Sequence, residues 1–301
     1  MVVGTWQFEA LSTDAQTALN GWLERYDYED PLALHCVIGL FDVLRAHYLI
    51  CDFFVESGEG LFQAGPRDLG LLESAVARQQ AGHFGSIKWK NEVEKISSLF
   101  FGLVKDHPFH DANKRTAFLV TLYALYKIKL TPKITDKELE DFTVSIANGD
   151  QRKRSKWKKY REENSDSDSS VYFIADFINR NFRHTDNKRY IVTYRELNQI
   201  MKKFGYELAN PDKNYIDVVR RVERRKLFGF GKKEQVDQKV MEIGFPGWTR
   251  EVRKNSVDQI REVTKLDFKN GFDSAAFFQG ADPAAALISR YQSALERLAY
   301  R

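Results

Sequence analysis

Cysteine is almost missing: only Cys36 and Cys51 occur in 301 residues, both in the most apolar N-terminal stretch. Two thiols cannot staple a fold this size, and neither has metal-ligand spacing. The expectation is reduced, buried cysteines in a cytoplasmic chain. A strong charge of one sign is missing too. Lys and Arg number 46 against 42 Asp and Glu, so the net charge of +4 does not by itself call for nucleic acid or anionic lipid. Nor is there an uninterrupted apolar run. The longest, residues 32–55, is broken by His35, Asp42, Arg45 and His47, which argues against a membrane-spanning helix. The opening MVVGTWQFEALSTD lacks a basic segment followed by an apolar one, so no signal peptide is expected. No internal repeat is present.

What remains is ordinary globular composition, 43% hydrophobic and 29% charged, in a chain long enough for two cores. Apolar residues at three- and four-residue steps predict a helix over 31–54 through Leu34, Val37, Ile38, Phe41, Leu44 and Tyr48. Four glycines and a proline make 56–70 a loop with hairpin character, and Asp68 is placed to cap a helix over 69–80. Further helices are predicted over 90–105, over 113–128, where apolar groups surround the axis, and after Thr135 or Asp136. QRKRSKWKKYREENSDSDSS then turns from basic to acidic with no apolar period and reads as a solvated helix end or a linker over 151–170, with the domain boundary placed here. Beyond it SVYFIADFINRNF suggests a helix, RYIVTYRELNQIMKKFGYEL a strand then a helix, NYIDVVRRV a strand, and the tail a final helix. The expected organisation is a helical extension over 1–30, a helical domain over 31–150, the linker, and a smaller α+β accessory domain over 171–301.

The chemistry concentrates in HPFHDANKRTAF, residues 107–118. Pro108 stops one helix and Ala112 or Asn113 starts the next, so the segment is a tight loop at the N-terminus of a buried central helix. Unpaired backbone N–H groups gather there and the dipole favours an anion, yet Lys114 and Arg115 occupy that first turn. A bound phosphate chain resolves the conflict, with Asn113, Lys114 and Arg115 pointing at it. Asp111 supplies one carboxylate for Mg²⁺, which is commonly held by one or two carboxylates and substrate phosphates. His107 is placed to take a proton from an incoming hydroxyl. The same residues also suit a plain helix start, with Asp111 as cap and the cations in solvent. Buried helix and misplaced cations weigh against that. The adjacent His110 and Asp111 also fit the metal dyad of a phosphohydrolase, which would need a further His and Asp; His83, Asp141 and Asp150 are available.

HPFHDANKR resembles the signature of the Fic/Doc (fido) family, and its ending DANKRTA is similar to the death-on-curing, or Doc-type, branch. GPRDLGLLESAVAR and the ALH at residues 33–35 resemble other parts of Doc-like toxins. The resemblance implies an all-α fido fold over 31–150, with His107 as general base toward a Ser, Thr or Tyr hydroxyl. It further implies Phe109 as a core anchor, Asp111 on Mg²⁺, and Asn113, Lys114 and Arg115 on the phosphates of ATP or another nucleoside triphosphate. The loop from Glu56 to Gly70 would correspond to the flap that positions the target. The AMP-transferring pattern has a glycine where Lys114 stands and a second arginine where Phe118 stands. Both departures match the Doc branch, which implies transfer of the γ-phosphate to a cytosolic protein, a translation elongation factor being the known target class. The Ser/Thr and Glu signature of self-inhibiting members is absent, which implies a separate antitoxin protein. Two alternatives stay open: AMPylation of a protein hydroxyl by a Fic-type nucleotidyltransferase, or a non-catalytic nucleotide- or antitoxin-binding module with an RNA-binding C-terminal domain. For RNA or the ribosome, the candidate surface is RRVERRKLFGFGKK, Arg220 to Lys233, a dense basic run with two phenylalanines set into it. A solvated strand-and-turn face is the blander reading of that run and the preferred one.

Overall fold

The computed structural model describes residues 11–56, 58, 63–83, 86–184, 192–224, 234–267, 270, 277–278 and 283–301. The chain divides into two compact units, one of residues 1–185 with 284–301 and one of residues 186–283.

The first unit is helical. It contains α1 (Thr13–Leu23), α2 (Leu40–Glu56), α3 (Leu69–Ala77), α4 (Glu92–Lys105), α5 (Asn113–Lys127), α6 (Asp136–Asn148), α7 (Ser155–Arg161) and α8 (Asp166–Asn181). Two helices from the end of the chain, α11 (Pro283–Arg290) and α12 (Gln292–Ala299), complete it. Local chemistry sets many of the starts. Asp68 accepts from the Leu71 amide, Asn91 from that of Glu94, and Thr135 closes a capping box with Glu138. As its apolar girdle predicts, α5 is the central helix, burying residues on every side from Arg115 to Tyr126. α4 lies against it with every residue from Ile96 to Val104 buried. Gly102 permits a close approach of α4 to α3, since a Cβ there would lie 3.0 Å from Ala75 and 2.8 Å from Arg78 Cδ. Two short antiparallel pairs, β1 (Gly82–His83) with β2 (Ser86–Ile87) and β3 (Leu130–Pro132) with β4 (Phe182–His184), add the only sheet among this unit's described residues.

Three expectations need correction. The helix predicted over 31–54 begins only at Leu40, and 31–39 are turns. Two side chains from outside any local pattern hold those turns: Asp30 accepts from the amides of Leu32 and Phe41, and Gln79 accepts from those of Val37 and Ile38. The segment 151–170 is not a linker. It forms a 3₁₀ turn, α7 and the start of α8, and Ser169 and Ser170 are fully buried. Ser170 Oγ donates to the Asp166 carbonyl and accepts from Trp157 Nε1 at 3.0 Å, so the serine-rich run packs through hydroxyls where apolar groups would have been legible. The boundary expected before residue 171 therefore falls near 185. The tail after 283 returns to the helical core, where Tyr291 meets the Phe118 ring edge-on.

The second unit has mixed elements: α9 (Tyr194–Lys203), an antiparallel meander of β5 (Tyr206–Asp212), β6 (Tyr215–Arg224) and β7 (Glu234–Gly244), then α10 (Lys254–Val263). Thr193 and Glu196 form a capping box, and Tyr194, Leu197, Ile200 and Met201 line the inner face of α9. In β6, Ile216, Val218 and Val219 are buried. The strand expected from residue 190 is represented among the described residues only by a bridge between Thr193 and Glu251.

Candidate functional site

The turn between α4 and α5 is held in an uncommon backbone shape. His107 has φ 45° and Ala112 φ 59°, both in the left-handed region that non-glycine residues seldom adopt. Such strain persists only where neighbours over-determine it, and here they do. Asn113 Oδ1 accepts from the Phe109 amide at 2.9 Å, and Asn113 Nδ2 donates to the Phe109 carbonyl at 2.9 Å. Phe109 is buried and stacks on His47, with ring centroids 3.8 Å apart and planes 11° from parallel. The loop is thus pinned by a side-chain clamp on its backbone and an aromatic plug in the core.

A second segment lies along the loop. The amides of Arg67 and Asp68 donate to the Pro108 carbonyl at 2.8 and 3.2 Å, Pro66 bridges Phe109, and the His110 amide donates to the Gly65 carbonyl. The stretch expected to act as a flap therefore ends, over 65–68, as an antiparallel neighbour of the motif. Residues 57 and 59–62 of that stretch lie outside the described residues. Gly65 has φ 100°, and a Cβ there would meet the Tyr48 hydroxyl at 2.9 Å, so only glycine suits it.

His47 ties both segments to α2. Its Nε2 accepts from the Gly65 amide at 2.9 Å, so the ring proton sits on Nδ1 and is donated to Thr116 Oγ1 at 3.0 Å. Complete burial, with the positive neighbour Arg115 and then His110, pushes its pKa down to about 3. His47 is thus neutral and structural. Sequence reading missed it, because a lone histidine in an apolar helix carries no signal of what it faces.

The predicted site residues fall together around this loop. His107 is exposed, and its pKa is lowered by desolvation first, then by Arg67, Lys105 and Lys114, with Asp106 opposing. It is therefore in the unprotonated form at neutral pH, as a general base must be. Arg67 and Lys105 are contributors that sequence reading did not single out. Lys105 Nζ donates to the Ala147 carbonyl at 2.7 Å, and Asp106 is held by Arg78 at 3.2 Å.

No side chain caps α5, which leaves the amides at its start facing the loop mouth without a side-chain acceptor. Lys114 sits in that turn with its pKa lowered by desolvation, then by Arg115 and Arg301. Arg115 is nearly buried, its guanidinium 4.5 Å above the Phe54 ring and 3.6 Å from Asp111 Oδ2. Asp111 keeps a side chain 43% exposed. Asn113, expected at the phosphates, is drawn into the clamp on Phe109, which takes its oxygen and one of the two N–H groups of its amide.

Among the described residues no group of three His, Cys, Asp or Glu side chains is arranged to hold a metal. Of the partners that the alternative metal dyad would need, Asp141 pairs with Lys137 and Arg301, and Asp150 with Lys153. The His83 side chain is outside the described residues. Asp111, whose Oδ1 accepts from the Ala112 amide and whose Oδ2 faces Arg115, offers one of the one or two carboxylates that a phosphate-bound Mg²⁺ commonly takes. No helix among the described residues is long and apolar enough to cross a membrane.

Comparison with known proteins agrees with the motif. Residues 38–125 match the Fic/DOC family. Over 86 residues the chain is 33% identical to Toxin Doc of Mycolicibacterium smegmatis (strain ATCC 700084 / mc(2)155), a match covering 28% of this chain and 66% of that protein. The matched region contains α2 to α5, the His47 anchor and the entire loop from His107 to Arg115, and through it the chain belongs to the Fic/DOC family.

Proposed function

We propose that the protein is a Doc-type, toxin-like kinase that transfers the γ-phosphate of ATP to a Ser or Thr hydroxyl of another protein, with a translation elongation factor as the target class. The observation that carries this reading is the pairing of an unprotonated His107 with an uncapped helix start bearing Lys114. In the proposed step His107 takes the hydroxyl proton, the hydroxyl oxygen bonds to the γ-phosphorus, and the bond from that phosphorus to the β-phosphate oxygen breaks to release ADP. Lys114, the first amides of α5 and the edge of Arg115 bind the phosphates. Asp111 would hold Mg²⁺, which when bound screens the phosphate charge.

Phosphoryl transfer is preferred to nucleotidyl transfer because of two side chains. Lys114 stands where close backbone approach to phosphate would need glycine. Phe118, three residues beyond Arg115, is buried against Tyr291 and belongs to the core, so that position offers no second phosphate clamp. An antitoxin covering the loop mouth is part of the same proposal. RNA or ribosome binding through Arg220 to Lys233 stays a proposal as well. Arg220 is exposed on β6, with its guanidinium 5.8 Å from the Tyr206 ring, whereas 225–233 lie outside the described residues. Expression of the chain in a bacterium tests the reading. It predicts arrest of protein synthesis that His107→Ala abolishes; equal arrest by His107→Ala would place the activity elsewhere.

A further inference from the structure

We propose that a pocket formed by α6, α7, α8 and the 3₁₀ turn at 150–153 is a second ligand site, taking one free nucleoside monophosphate. No residue of the 107–115 loop lines it. Its volume is about 390 Å³, toward the small end of the roughly 300–1,000 Å³ typical of small-molecule sites. Room for one ring and one phosphate is therefore present, and a dinucleotide would overfill it.

Three features select that chemistry. The first is a ladder of half-buried rings. Phe142 and Phe177 stack with centroids 3.6 Å apart and planes 5° from parallel, and Phe173 lies 6.3 Å from Phe142 at 19°. Fully buried phenylalanines such as Phe54 and Phe109 close the core, whereas these three leave surface at the pocket, a platform that a flat base can extend. The second is an excess of positive charge. Arg154, Lys156 and Arg180 line the pocket against one lining carboxylate, Asp176, which pairs with Lys156 and with Arg180 at 3.1 Å. Two positive charges are left over in balance, enough for a phosphate monoester.

The third feature is an unanswered acceptor. Gln151 lines the pocket at 1% exposure; its Nε2 donates to Ser170 Oγ at 3.3 Å, while Oε1 has no hydrogen-bond partner. A buried acceptor left without a donor is destabilising, and folded proteins keep few such atoms. A nucleoside supplies amino and hydroxyl donors within one ring diameter of its phosphate. Ring platform, anion-binding wall and buried acceptor together specify a ligand that is flat, donates a hydrogen bond and carries a phosphate.

The test is equilibrium binding of AMP to the full-length chain carrying His107→Ala and Lys114→Ala, so that the motif loop cannot account for the signal. The expected result is saturable binding of one equivalent, weakened at least tenfold by adding Arg154→Glu and Arg180→Glu without change in melting temperature. Adenosine and inorganic phosphate should each bind at least tenfold more weakly than AMP. Should the double charge reversal disturb folding, the exposed Arg154→Ala alone is expected to weaken AMP binding measurably. Absence of AMP binding would overturn the proposal, as would phosphate binding as tightly as AMP or binding insensitive to Arg154 and Arg180.

Discussion

The imidazole of His47 lies flat on the ring of Phe109, 3.8 Å between centroids, and this stack joins α2 to the loop that carries His107. The two residues are 62 positions apart, yet each depends on the other. Phe109 holds the loop only because a flat, neutral partner lies beneath it. Burial first, then Arg115 and His110, keep His47 neutral well into the acid range.

One consequence is acid sensitivity of the fold. His47 has a pKa of about 3 in the native state against an ordinary 6.5, so below pH 6.5 the unfolded chain takes up a proton that the native chain refuses. Stability should therefore fall by about 1.4 kcal/mol per pH unit from this group between pH 6.5 and 3, and be insensitive to it above 6.5. Urea unfolding at pH 7 and pH 5 checks this. His47→Gln should flatten the difference while lowering stability at pH 7 by about 1–3 kcal/mol, through loss of the ring stack and a bond to Gly65 or Thr116.

A second consequence concerns the rate. His107 must be unprotonated to act, and its pKa is held below 6.5 by desolvation and by Arg67, Lys105 and Lys114. The acidic limb of kcat/KM should have its midpoint below 6.5. Removing a cation raises the pKa, so Arg67→Ala should move that limb to higher pH. A limb that stays put, or moves to lower pH, would show that another group titrates.

Asn113 is expected to act through the loop's shape. Asn113→Ala removes both hydrogen bonds to Phe109 and should cost about 1–2 kcal/mol of stability. It should also lower kcat at least tenfold with little change in the KM for ATP, since displaced geometry is what slows the reaction. A change confined to KM would favour direct phosphate contact.

Restoring the arginine of the AMP-transferring pattern should fail for a structural reason. Phe118→Arg places a guanidinium in a site that is 3% exposed, beside Tyr291. The expected loss is about 3–5 kcal/mol, read from chemical denaturation, with no gain of nucleotidyl transfer.

Much of this was legible in short stretches of sequence. Caps are local, so Asp68 could be read directly and the starts of α5 and α6 to within one residue, and so could the buried character of α5. The motif's residues could be gathered at one helix start because a proline and two helices leave them no other place. The remainder depends on distant partners. Gln79, 42 residues beyond Val37, holds 37–38 in a turn that periodicity reads as helix, and nothing near residue 35 announces it. Buried serines in α8 pack by hydrogen bonding, which a hydrophobic pattern cannot register. Asn113's hold on Phe109 could not be read in advance, because its residue type suits phosphate and backbone equally and only the loop's geometry shows the bonds made.

The most direct measurement supplies ATP labelled at either the α- or the γ-phosphate to the full-length protein, Mg²⁺ and bacterial lysate, with His107→Ala as control. The account predicts a protein band labelled from the γ-phosphate alone and lost in His107→Ala. Label carried from the α-phosphate would contradict it and establish nucleotidyl transfer at the same loop.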